Sequence, residues 1–174
     1  MAALVAFTFS AATFLTLSGA LGQKVILMEN FDPAQVEGMW YVVQRTASLY
    51  NDSAGCTTYN AKHKDGAIYE VEVDYMGKSN AMVKKMLRVV EDSDHPAQFY
   101  FADQDKRRVA VSFLGTDYKN WNVAYGYVFE GVPVYGVSSR TPVLDPKYLE
   151  EANEILKKNE VYGTMEICQP RQVK

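Results

Sequence analysis

Apolar and polar residues alternate strictly between positions 68 and 76. Tyr69, Val71, Val73 and Tyr75 fall on one side, and Glu70, Glu72 and Asp74 on the other. A period of two with one apolar face predicts a strand with one side towards a core or cavity and the other towards water. Short runs rich in Val, Tyr, Phe and Thr recur roughly every ten positions between turn residues, the spacing of an all-β sandwich or barrel. Read this way, the chain has eight strands, at 38–46, 56–63, 68–76, 79–90, 98–102, 108–114, 121–129 and 132–139. The links after the second strand are short: Lys64-Asp65-Gly66, Gly77-Lys78, Asp92-Ser93-Asp94-His95-Pro96, 103–106 and Glu130-Gly131. Asp-Gly is a strong hairpin signal because both residues tolerate positive φ. Short links force antiparallel neighbours, so the sheet is an up-and-down meander. Eight such strands hide their edges by closing into a barrel whose interior suits one small ligand. The first link, 47–55, is long. After the strands, Asp145 is a good N-cap and Pro146 suits the first helical position. Tyr148, Leu149, Ala152, Ile155 and Leu156 then recur at helical spacing, predicting one helix with an apolar stripe laid on the barrel wall. A helical turn at 32–35 and a last strand at 162–168 complete the reading.

Residues 2–22 carry no charge and form an apolar run ending in Ala20-Leu21-Gly22, the small-x-small pattern of a signal peptidase site. This reads as a signal peptide over residues 1–22, cut before Gln23, with one domain over 23–174. The formal charge of −3 argues against nucleic acid or an anionic membrane as partner. The basic clusters Lys84-Lys85 and Lys106-Arg107-Arg108 sit among acidic neighbours and read as solvated faces or turns. Two cysteines, Cys56 and Cys168, default to one disulfide in an exported chain. Such a bond closes a loop of roughly a hundred residues, worth about 4–5 kcal/mol in the chain-entropy model. There is no Cys-x-x-Cys, and His63 and His95 are isolated, so no zinc or haem spacing can be read.

Three motifs then fall in order. Gly38-Met39-Trp40 opens the first strand, Thr116-Asp117-Tyr118 lies between strands six and seven, and Arg140 follows strand eight. Together they resemble the lipocalins, and the resemblance covers the whole chain from residue 23. It implies that Trp40 plugs the closed end of the barrel, that Arg140 lies across its indole, that Gly38 lets the chain enter the floor closely, and that Asp117 accepts backbone N–H groups in its own turn. Within the lipocalins, Trp40-Tyr41, Thr116-Asp117-Tyr118-Lys119-Asn120-Trp121 and Ser138-Ser139-Arg140 are similar to apolipoprotein D and the insect bilin-binding lipocalins. Cys56 and Cys168 match the family's disulfide between the second strand and the C-terminal segment. The second disulfide usual in those relatives has no residues here.

The expected cup lining is Val42, Tyr59, Tyr69, Val71, Val73, Met82, Met86, Phe99, Phe101, Val111, Phe113, Ala124 and Val134. Strands four, six and seven can be read in either phase, and a slip of one residue exchanges their inner and outer faces. No convergent Ser/His/Asp set, paired carboxylates or metal cluster can be read, so the expectation is a binding protein with no catalytic residues, no metal and no required cofactor. Bilin, carotenoid, fatty acid, sterol and pheromone all remain open as cargo. The alternative is an exported protein-interaction lipocalin, an inhibitor or receptor-binding protein with a filled cup, and a cell-surface receptor or self-association stays open as well. Asn51-Asp52-Ser53 is an N-glycosylation sequon in the long first loop.

Overall fold

The computed structural model describes residues 25–46, 57–76, 81–102, 108–128, 132–161 and 165–168. Among them nine strands form one antiparallel sheet: β1 Gly38–Thr46, β2 Thr58–Asp65, β3 Ile68–Met76, β4 Met82–Glu91, β5 Gln98–Ala102, β6 Arg108–Thr116, β7 Trp121–Val128, β8 Val132–Ser139 and β9 Met165–Ile167. From β2 to β8 each strand pairs with its sequence neighbours, and β1 lies between β8 and β2. Eight strands therefore close into an up-and-down barrel, because β1 pairs with both ends of what would otherwise be an open meander. β9 stands outside this ring. β1 pairs with β2 over Gly38–Tyr41 and with β9 over Gln44–Thr46, so β9 takes the length of β1 edge that β2 has left.

The β2–β3, β4–β5 and β6–β7 turns gather at one end with a 3-10 turn, Pro33–Val36, which Asp32 caps by accepting the Ala34 N–H at 3.1 Å. This is the closed end. Phe31, Val36, Trp40, Tyr69, Val89, Ala97, Phe99 and Phe113 form a buried cluster inside it. Their rings interlock: Phe31 stacks on Phe113 at 4.8 Å, and Phe99 stands edge-on to both Tyr69 and Phe113.

A second core lies outside the barrel. Helix α1, Pro146–Lys158, begins at Asp145, whose carboxylate accepts the Lys147 N–H at 2.9 Å. Its Ala152 and Leu156 are buried against Val43, Leu114, Trp121, Val123, Tyr125, Tyr135 and Val137. The helix packs on β6 and β7. A Cβ at Gly115 would meet the Ile155 side chain at 3.1 Å, so the glycine sets how closely the helix can lie. β6 runs two residues beyond the 108–114 read from sequence, through an irregularity between Phe113 and Gly115. Of the last strand expected at 162–168, residues 162–164 lie outside the described residues, and Met165–Ile167 form β9. Among the described residues no helix is long and apolar enough to cross a membrane.

Candidate ligand-binding site

The three motifs meet at the closed end. Gly38 has φ +90°, and a Cβ there would come 3.3 Å from Arg140 Nη1, so a side chain would be strained and crowded. Trp40 is 0% exposed, and its Nε1–H donates to the Val36 carbonyl at 2.8 Å. The Arg140 guanidinium lies 3.7 Å from the Trp40 ring centroid. It also donates to the carbonyls of Gln35, Glu37, Met39 and Tyr118, tying the 3-10 turn, β1 and the β6–β7 turn together. In that turn Asp117 Oδ1 accepts the N–H groups of Lys119, Asn120 and Trp121, and Oδ2 accepts the Asn120 amide. Burial would raise the Asp117 pKa, but these hydrogen bonds outweigh it and hold the carboxyl below its ordinary value. The Thr116 hydroxyl donates to the Trp121 carbonyl at 2.6 Å and accepts from the Tyr118 N–H. Tyr118 takes φ +64°, which aims its hydroxyl back to accept the Asp32 N–H at 2.9 Å.

Above this floor the barrel encloses a cavity of about 330 Å³. Ten of the thirteen expected lining residues surround it: Val42, Tyr59, Tyr69, Val71, Val73, Phe99, Phe101, Val111, Phe113 and Ala124. Val36, Glu37, Ala61, Leu87, Val89, Gly136 and Ser138 complete the wall. Met82 and Met86 are corrections. They lie on the outer face of β4, 46% and 60% exposed, while Leu87 and Val89 of the same strand line the cavity. The cause is register: β3 and β4 pair Val71 with Leu87 and Tyr69 with Val89, so the inner face of β3 dictates the phase of β4. Val134 is also corrected. It alternates with Gly136 and Ser138 but lies outside the cavity wall, two residues nearer the other end of β8.

The wall is mostly aliphatic and aromatic. Its polar side chains are few. Glu37 Oε2 accepts the His63 N–H at 3.2 Å. Burial pushes the Tyr59 phenol up, opposed by hydrogen bonds from Ser138 and Asn122. Burial and the nearby Glu91, Glu37 and Asp32 charges likewise raise Tyr69. Both phenols are neutral at neutral pH. Asn122 and Ser138 were missed in the sequence because Trp-Asn-Val and Val-Ser-Ser read as ordinary alternation with a polar residue facing water. Asn51 and Cys56 lie outside the described residues, as do residues 1–24. Cys168 follows β9, and its N–H donates to the Val43 carbonyl at 2.8 Å.

A family model described as Triabin matches residues 15–129. The chain belongs to the Triabin family. This family is lipocalin-like, which agrees with the resemblance carried by Gly38, Trp40, Thr116, Asp117, Tyr118 and Arg140. The narrower likeness to apolipoprotein D is not singled out. The Triabin-family barrel is similar in fold to lobster apocrustacyanin A1, with TM-score 0.68 and 16% identity over 81% of each chain. It is also similar to the major allergen Per a 4 from cockroaches, with TM-score 0.69 and 17% identity over 84% of this chain and 93% of that one. H1 crustacyanin from the lobster Homarus americanus matches with TM-score 0.65 and 18% identity over 77% of this chain and 76% of that one. No curated protein matches the chain in sequence.

Proposed function

We propose that this Triabin-family protein is an exported carrier that holds one small hydrophobic molecule inside its barrel and does not transform it. The observation that carries this reading is the cavity of about 330 Å³ between the aromatic floor and the far ends of the strands. A barrel built only for stability would fill that space, because an empty apolar void forfeits packing contacts. The volume sits at the lower end of the roughly 300–1,000 Å³ typical of small-molecule sites, which favours a compact cargo. Apolar contact supplies affinity at about 25 cal/mol per Å² of buried surface, before the costs of binding are subtracted. Turnover is not part of the reading: the lining offers two neutral phenols, one serine hydroxyl and a carboxylate engaged by His63, with no nucleophile–base pair among them.

The test is titration of the purified protein with bilins, retinoids, fatty acids and sterols, read through tryptophan quenching. At least one class is expected to bind more tightly than about 10 μM, roughly 7 kcal/mol. If none does, and a crystal structure shows a filled interior, the protein-interaction reading takes its place. Export rests on the uncharged segment ending in Ala20-Leu21-Gly22. N-terminal sequencing of secreted material should begin near Gln23, and recovery of residues 1–22 in a membrane fraction would overturn it.

A further inference from the structure

We propose that Gly136 is the specificity-determining residue of the cavity: it leaves bare backbone in the wall, against which a flat, rigid ring system lies, so the cargo is ring-bearing and not a flexible chain. This rests on the carrier reading and narrows it.

Alternation along two neighbouring strands fixes which way these positions face. On β8, Tyr135 and Val137 belong to the outer core with Ala152 and Leu156 of α1, so Gly136 falls on the inner face, and it lines the cavity. On β7, Val123 and Tyr125 belong to the same outer core, and Ala124 lines the cavity. Ala124 and Gly136 are cross-strand partners, so one methyl group is all that this pair projects inward. In a ring of eight strands, β3 and β4 stand opposite β7 and β8. Their cavity-lining residues Val71 and Leu87 are also cross-strand partners. The cavity is therefore lopsided, with branched aliphatic side chains on one wall and nearly bare backbone on the other.

A glycine inside a strand weakens it, and its usual reasons are a left-handed conformation, a bulge or the close approach of something else. On β7 the protein itself supplies the reason: a Cβ at Gly126 would press on the Ala110 carbonyl oxygen at 3.0 Å. Gly136 has no such reason. Its φ lies outside the positive range. The irregularity between β1 and β8 falls in β1, between Val42 and Gln44, while β8 pairs without a break from Ser139 to Gly136. A Cβ at Gly136 would meet only the Gln44 carbonyl oxygen, at an ordinary 3.7 Å. The fold would accept a side chain here, and the space that side chain would take belongs to the cavity. What approaches Gly136 closely is then the cargo. A flexible chain would gain little from the bare backbone, because it can bend around a methyl group. A rigid ring has a fixed contact face and cannot, so every atom added at Gly136 pushes it off the wall.

The test compares the wild type with Gly136→Ala and Gly136→Val. Each is titrated with 1-aminoanthracene, read by its fluorescence, and with 1-decanol, read by calorimetry. Gly136→Ala is expected to weaken aminoanthracene binding about fivefold and Gly136→Val at least tenfold, while decanol stays within about twofold in both. Without ligand, Gly136→Ala should melt no lower than the wild type, because alanine at a compatible position reduces the freedom of the unfolded chain. A lower melting temperature would mean that the glycine serves the backbone, and it would overturn the proposal. Unchanged aminoanthracene binding, an equal loss for both compounds, or a wild type that binds decanol alone would also overturn it and leave the carrier reading standing. A wild type that binds aminoanthracene alone supports it, provided the variants show the same graded loss. The alanine variant decides the matter if the valine variant fails to fold. Failure of the wild type to bind either compound counts against the carrier reading and removes the proposal with it.

Discussion

At Trp40 a ring with no solvent contact, a hydrogen bond to Val36 and an Arg140 cation 3.7 Å from the ring centroid are superimposed on one residue. Truncating a buried tryptophan typically costs about 3–5 kcal/mol through the void it leaves. Here the guanidinium would lose its ring as well, and a partly desolvated cation–π contact is worth about 1–2 kcal/mol. Trp40→Ala is therefore expected to lose more stability in chemical denaturation than Val71→Ala in the cavity wall, and a Trp40 variant as stable as the wild type would refute the plugged floor. Asp117 supports a pH prediction. Its folded pKa lies below the ordinary ~3.9 because four hydrogen bonds outweigh burial. A depressed carboxyl contributes stability that is fully present above the unfolded pKa and is lost as pH falls through the folded one. Glu91, which burial raises, acts in the opposite sense on acidification. Asp117→Asn should cost about 1 kcal/mol at pH 7, with the gap to wild type closing as pH falls below the ordinary carboxylate range in denaturation series. A gap independent of pH would contradict this origin. Trp40, Asp117 and Arg140 were legible in the sequence because each motif is local and falls at a strand boundary. The trio at Tyr59, Asn122 and Ser138 was not, since 63 residues separate Tyr59 from Asn122 and only barrel closure makes them neighbours.

Among the strands, β3 and β4 show when alternation can be read and when it cannot. β3 carries carboxylates on every outward position of its middle, so its inner face is unambiguous from sequence. β4 reads Met-Val-Lys-Lys-Met-Leu-Arg-Val-Val, with apolar residues in both phases and a lysine in each. Its own pattern cannot choose, and pairing with β3 does. That register sets Lys84 outward, where its ammonium meets Glu72 at 3.0 Å and Asp74 at 3.5 Å, and Leu87 inward beside Val71. The consequence is a pair of substitutions with opposite expectations. Met86→Lys on the outer face should leave ligand affinity within about twofold, since surface changes usually stay within ±0.5 kcal/mol. Leu87→Lys would aim a charge into the apolar wall and should weaken binding at least tenfold, given the cost of burying an unpaired charge. The two titrations, run on variants shown to fold by circular dichroism, check the register. The reverse ranking would mean that the phase of β4 is inverted.

At the scale of the whole molecule, one edge of β1 holds the beginning and the end of the barrel together. Along that edge β2 pairs up to Tyr41, the Val42 N–H donates to the Thr57 carbonyl at 2.9 Å, Cys168 donates to the Val43 carbonyl, and β9 continues from Gln44. Thr57 and Cys168 therefore bond to successive residues of one strand. Cys56, next to Thr57, lies outside the described residues. Among the described residues the Cys168 thiol is free in this structure, and a pairing with Cys56 rests on cysteine parity and the lipocalin resemblance. A Cys56–Cys168 bond would fasten the short strand β9 to the point where β1 changes partner, and it would do so across roughly a hundred residues of chain, where loop-closure entropy makes a crosslink most effective. The barrel has its own closure through β1–β2 and β1–β8 pairing, and its two cores do not depend on the bond. Replacing both cysteines with serine is therefore expected to lower stability by about 2–5 kcal/mol while the β-sheet signature in circular dichroism and the ligand affinity persist. Thiol titration of the unfolded, unreduced protein should find no free cysteine. Two reactive thiols in freshly secreted material would overturn the pairing, and β9 would then be held by its backbone pairing with β1 and the packing of Met165 against the outer core.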